Sequence, residues 1–169
     1  IRSAQLALAY ERMGPSAMMT LAVAGYFTWL LDGTFPQQTL HWWLAAIAIV
    51  NLLRLALWNS YRRIRPPPEQ ADRWASWFVV GVAAAGIAWS TGVLVLLPQA
   101  HGYEVAMLLV TLLSVSSAAA ASLSMHFVSY CTFMVIMLVP SAIWLSLQTS
   151  NTQVVGAAMW PALGVLLVS

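Results

Sequence analysis

Asn51 and Arg54 are the residues whose chemistry fits worst with their surroundings. They lie three positions apart inside the apolar run 40–61, so a helix carries them on one face, with Trp58 at the next turn. An ionisable group inside such a run is a functional candidate by default. Two readings are open for Arg54. It lies about two helical turns from the end of its run, so its stem could extend to lipid phosphates. Alternatively it pairs with an acid, Glu69 or Asp72, and couples this run to the next.

The histidines form a second group. His41, beside Trp42 and Trp43, and His101, three residues before Glu104, fall at run ends that the arginine pattern places on one side. His41, Trp42, His101 and Glu104 could line a mouth that contacts a small ligand. A metal site needs three or four ligands at set spacing, and only Asp32 and Glu104 could complete one, so no metal is expected. His41 with its two tryptophans also reads as an interfacial anchor. His126 belongs to the opposite side. The sequence has no HExxH, no P-loop and no glycine-rich nucleotide loop. No run buries an Asp or Glu, the usual relay of a proton or cation transporter. No catalytic residue and no cofactor are assigned to this stretch, and no nucleic-acid partner.

Small residues recur on two runs: Gly81, Ala85, Ala88 and Gly92, and then Ser114, Ser117, Ala118 and Ala121. Such stripes let helices approach closely in lipid, either within one bundle or between two copies. Pro140 and Pro161 interrupt later runs, as hinges or as kinks. In a membrane helix the carbonyls they free are met by neighbours.

These residues need rigid carriers, and six apolar runs supply them: 15–31, 40–61, 74–97, 104–123, 127–147 and one from 154 onward. The chain is 7% charged, whereas a soluble domain carries roughly a quarter charged residues, so most of its surface is suited to lipid. A transmembrane β-barrel is excluded, because the runs are continuously apolar rather than alternating. Residues 1–14 read as a short interfacial helix that ends at Gly14-Pro15. The expected architecture is all-α: a polytopic membrane protein of six transmembrane helices over 15–169, preceded by that interfacial helix.

Charge placement sets the orientation. There are seven arginines and no lysine. Arg2 and Arg12 precede the first run, and Arg62, Arg63, Arg65 and Arg73 lie between the second and third. The connections 32–39, 98–103 and 148–153 have none. The positive-inside rule puts the arginine-bearing ends, and with six spans both termini, in the cytoplasm. Cys131 is single, so no internal disulfide is expected. Residues 1–14 are too polar for the core of a signal peptide. The chain starts at Ile1 and is still apolar at Ser169, so a window of a longer protein is expected.

The segments NLLRLALWNSYRR (51–63) and RWASWFVVGVAAAGIAWSTGVLVLLP (73–98) flank a proline-rich break, and AQLALAYERMGPSAM (4–18) precedes them. Together they resemble the N-terminal multi-pass, MASE-like membrane region of bacterial signalling proteins. The resemblance implies a sensory domain in the bacterial inner membrane, acting as a homodimer ahead of a cytoplasmic output module. It transfers no catalytic residue. The leading expectation is an input domain for cyclic-di-GMP turnover by a GGDEF or EAL module, diguanylate cyclase or phosphodiesterase. The alternative is the input domain of a sensor histidine kinase. On either, the full-length protein is an enzyme and this stretch is not. A reading of another class is a small transporter or channel subunit. The implied partners are the bilayer, a second copy and a small-molecule or lipid-like signal, relayed by helix packing through the sixth run.

Overall fold

In the computed structural model the apolar runs become helices: α1 (Arg2–Leu30), α2 (Gln37–Ile64), α3 (Ala71–Leu96), α4 (Tyr103–Leu123) and α5 (Phe127–Leu147). Short 3-10 turns over Pro68–Gln70 and Leu97–Gln99 flank α3. The structure describes residues 2–123 and 127–147, without the side chains of 2–7, 68 and 122. No strand occurs among the described residues. The expected sixth run with Pro161, the connection 148–153 and His126 lie outside them.

Four helices are long and apolar enough to cross a membrane: α2, α3 with its following turn, most of α4, and α5. They mark the chain as a membrane protein. Their outward faces are as apolar as their inward ones. Leu52 and Leu53 on α2, Ile87 on α3 and Val110 on α4 are all exposed, as expected of helices solvated by lipid. Several serines and threonines of these helices meet their hydroxyl needs locally, although the buried Ser141 hydroxyl on α5 has no partner among the described residues. Thr111, Ser114, Ser116 and Ser117 on α4 each donate to the carbonyl four residues back at 2.7–2.9 Å, so the serine-rich α4 remains compatible with an apolar setting.

The break expected at Gly14-Pro15 is absent, and this corrects the picture of a separate interfacial helix over 1–14. α1 runs unbroken through Pro15. Its 29 residues span about 43 Å at about 1.5 Å per residue. Tyr10, Met13, Ala17, Ala24 and Phe27 are buried on one face that continues past the proline. Pro15 lies on the opposite, exposed side, as does Glu11, whose carbonyl loses its donor. The proline therefore costs little where it sits. Gly14 has a different reason to be glycine: a Cβ there would come within 2.8 Å of the Trp58 ring. It permits close approach of α1 to α2 rather than ending a helix.

α2 ends because Pro66 follows. A residue before proline avoids the right-handed helical region, and Arg65 takes a left-handed conformation, φ 46°, with its N–H closing onto the Tyr61 carbonyl.

α1 packs along α2, α2 on α3, α3 most extensively on α5, and α5 on α4. α4 closes back on α1 only lightly. The inward stripe of α2 is Leu40, Trp43, Ile47, Asn51 and Arg54. Trp43 locks α2 to α3: its indole N–H donates to the Ala88 carbonyl at 3.1 Å, and any Cβ on Gly92 would collide with that ring. On the other side of α3, Gly86 lies against Ile136, one turn before Pro140 in α5.

Candidate functional site

Arg54 is carried inward by the same face of α2 that buries Trp43 and Ile47. It is 7% exposed and Asn51 is 1% exposed. Gly81 of α3 lies beside it: a Cβ at that position would be in ordinary contact, 3.4 Å from Arg54 Cγ and 3.8 Å from Met13 Cε. The guanidinium donates from Nη1 to Asn51 Oδ1 at 3.3 Å. Asn51 in turn donates to the Ile47 carbonyl at 2.9 Å, which fixes the amide with its oxygen toward Arg54. Arg54 Nε has no hydrogen-bond partner among the described residues.

Both earlier readings of Arg54 are thereby corrected. It does not extend to the bilayer surface, because it is buried between helices. Nor does an acid meet it. Among the described residues its hydrogen bond goes to Asn51 and not to Glu69 or Asp72. Those two acids are exposed, at the turn before α3 and in its first turn.

Arg54 lines a cavity of about 550 Å³ bounded by all of α1 to α5. Its floor is Val82, Ala85 and Trp89 of α3, with Phe133 of α5. One wall is α1, from Glu11 to Val23, and the other is the small-residue stretch of α4 around Ala118. The Trp89 indole N–H is buried and also lacks a partner among the described residues. Arg12 and Ala121 stand at one end, and Arg12 Nη1 donates to the Ala121 carbonyl at 3.3 Å. That contact places a cation on the last turn of α4, where unpaired carbonyls attract it.

Against known proteins, the chain matches no family model, no curated protein and no solved structure. The geometry of the cavity therefore has to carry the functional reading. A second cleft, of about 500 Å³, lies near the arginine-bearing end between Tyr10, Trp58, Tyr61 and Arg62. There Arg62 sits 4.8 Å from the centre of the Trp58 ring, a cation–π contact. Tyr10 stacks on Tyr61 at 3.8 Å and donates to the Trp74 carbonyl at 3.0 Å.

The remaining sequence candidates are dispersed. Gly81, Ala88 and Gly92 face α2, while Ala85 faces the cavity. His41, Trp42 and His101 are exposed. Glu104 accepts from the His101 N–H at 2.9 Å, a local cap on the start of α4. Among the described residues no three His, Cys, Asp or Glu side chains gather as a metal site. Pro140 lies within α5. Sequence reasoning missed Trp89, Arg12 and Glu11. A signal for Trp89 was available: it continues the 82, 85, 89 spacing that brings Ala85 inward.

Proposed function

We propose that this chain is a membrane-embedded signal-input domain that controls a cytoplasmic output module, with cyclic-di-GMP turnover as the leading output. The observation that carries the reading is the cavity at Arg54. It is bounded by α1 and by the four helices long and apolar enough to cross a membrane, so any occupant touches all five described helices. The resemblance of residues 4–18, 51–63 and 73–98 to MASE-like regions supports the choice of output. On this reading α1 and a sixth helix complete six spans, both termini are cytoplasmic, and the domain works as a homodimer in the bacterial inner membrane.

A histidine kinase module would be controlled in the same way. A different class, a small transporter or channel subunit, draws support from the same feature, since an arginine facing a cavity at membrane depth also suits an anion path. One comparison separates the three. Cyclic-di-GMP is measured in cells lacking the gene and in cells complemented with the wild-type gene or with Arg54→Met. A level that responds to the gene and to the substitution supports the leading reading. An unchanged level with altered phosphoryl transfer points to a kinase. Neither change, with altered uptake of an organic anion, would replace the input-domain reading by a transporter.

A further inference from the structure

We propose that the Arg54 cavity binds an anionic amphiphile, with its carboxylate or phosphate head on the guanidinium and its apolar chain between α1 and α4. This deepens the input-domain reading and rests on it for its consequence, although binding itself does not. Three properties of the cavity select this class. First, its deep polar atoms are donors. Arg54 is more than nine-tenths buried, lines the cavity and has one hydrogen bond, to Asn51. Among the described residues its Nε and the Trp89 indole N–H have no partner. A buried charge without a partner is costly, and donors without acceptors call for an anion. Second, most of the lining is apolar or small, with Val82, Ala85, Ala118 and Phe133 around the head site and the charged Glu11 and Arg12 toward one end. Thr20 and Ser114 spend their hydroxyls on backbone carbonyls, and Arg12 at the end of the cavity donates to the Ala121 carbonyl, whereas an alkyl chain finds a matching surface along the rest. Third, the cavity is elongated. Along α1 it extends from Glu11 to Val23, about 18 Å at about 1.5 Å per residue. Arg54 enters at the Met13 and Gly81 level, toward one end, so a head placed there leaves the greater length for a chain.

Two sources could supply such a molecule, a free fatty acid or a lipid phosphate, and the test has an arm for each. The full chain is placed in nanodiscs of zwitterionic lipid at mildly alkaline pH. It is titrated with a fatty acid brominated on its chain, with the matching brominated alcohol, and with a lysophosphatidic acid carrying the same brominated chain. Bromine quenches tryptophan on contact, and Trp89 lines the cavity, so saturable quenching that disappears in Trp89→Phe reports this site. The expected result is that at least one anion binds about tenfold or more tightly than the alcohol. That preference should vanish in Arg54→Met and return in part in Arg54→Lys. Ala118→Phe fills the cavity from α4 with Arg54 intact and should abolish saturable quenching by every probe. This second variant keeps the test decisive if Arg54→Met alters folding. A preference for the fatty acid identifies a free carboxylate as the source, and one for the lysolipid identifies a lipid phosphate. Equal binding of acid and alcohol to the wild type would overturn the proposal, as would a preference that survives Arg54→Met or quenching that persists in Trp89→Phe. Binding as expected with no effect of the gene on cyclic-di-GMP would sink the input-domain reading and leave this site standing.

Discussion

Replacing Arg54 by methionine should stabilise the ligand-free bundle, and the sign of that change follows from what surrounds the guanidinium. Arg54 lies ten residues before the end of α2 at Ile64, about 15 Å along the axis, so it sits deep within a hydrocarbon core about 30 Å thick. An arginine at the centre of a membrane helix costs about 2.5–3.5 kcal/mol on insertion scales. No acid among its described neighbours offsets that cost, and its hydrogen bond to Asn51 is long, at 3.3 Å. Methionine keeps the stem that passes Gly81 and removes the charge. It also leaves Asn51 Oδ1 without a donor, and Asn51 is 1% exposed. That loss costs about 1–3 kcal/mol, at the lower end for so long a bond. The net expectation is a gain of about 1–2 kcal/mol.

Reversible unfolding of the delipidated chain in detergent, titrated with sodium dodecyl sulfate and followed by circular dichroism, measures the difference. Asn51→Leu added to Arg54→Met should raise stability further by about 1 kcal/mol, because it removes the orphaned acceptor. Had Arg54 been paired with Glu69 or Asp72, the sign would be opposite, since breaking a buried pair strands the remaining charge. A loss of more than about 1 kcal/mol in Arg54→Met would therefore refute the reasoning and require an anionic partner in the resting bundle.

Gly92→Ala forces its new Cβ into the Trp43 ring and should lower stability by about 1–3 kcal/mol; wild-type unfolding would mean that α2 and α3 can separate freely at this point. Tyr10→Phe keeps the stack on Tyr61 but loses the hydrogen bond to the Trp74 carbonyl, a change of about 0.5–1.5 kcal/mol in the same assay. Single cysteines placed in a Cys131→Ser background near Pro36 and Pro98 should react with an impermeant maleimide added outside cells, and one near Pro66 should not. The reverse labelling pattern would overturn the assigned orientation.

Much of the fold is legible in the residues because its signals are long and local. Runs of about twenty apolar residues specify α2 to α5, and the arginines mark one end of the bundle. Where the reading fails, a packing partner distant in sequence decides the outcome. Gly14-Pro15 has the composition of a break, but the ring of Trp58 needs the glycine and the open side of α1 tolerates the proline. Arg54 is legible as a site residue from its setting alone. Its lack of an acid partner is not, because Glu69 and Asp72 lie near enough in sequence to invite pairing and only the fold turns them outward. The cavity itself has no motif: its residues come from five helices, and Ser114 of α4, which lines it, looks like ordinary helix surface.

On the input-domain reading, the seam between α1 and α4 is where an occupant would act. Elsewhere the helices are pinned by contacts that leave little play. Trp43 fills the space over Gly92 and bonds to Ala88, Tyr10 ties α1 to Tyr61 and Trp74, and Gly86 seats Ile136 against α3. α4 meets α1 lightly, through the Arg12 contact to the Ala121 carbonyl and few others. An amphiphile chain between these two helices would exchange that thin contact for contacts of its own, while its head meets the Arg54 guanidinium. A ligand shifts an equilibrium only by its differential affinity for the two packings. Here the Arg54 donors, the same in both states, would contribute no difference, and the difference would come from the α1–α4 separation. The head would then set affinity, and the length of the chain would set the size of the response.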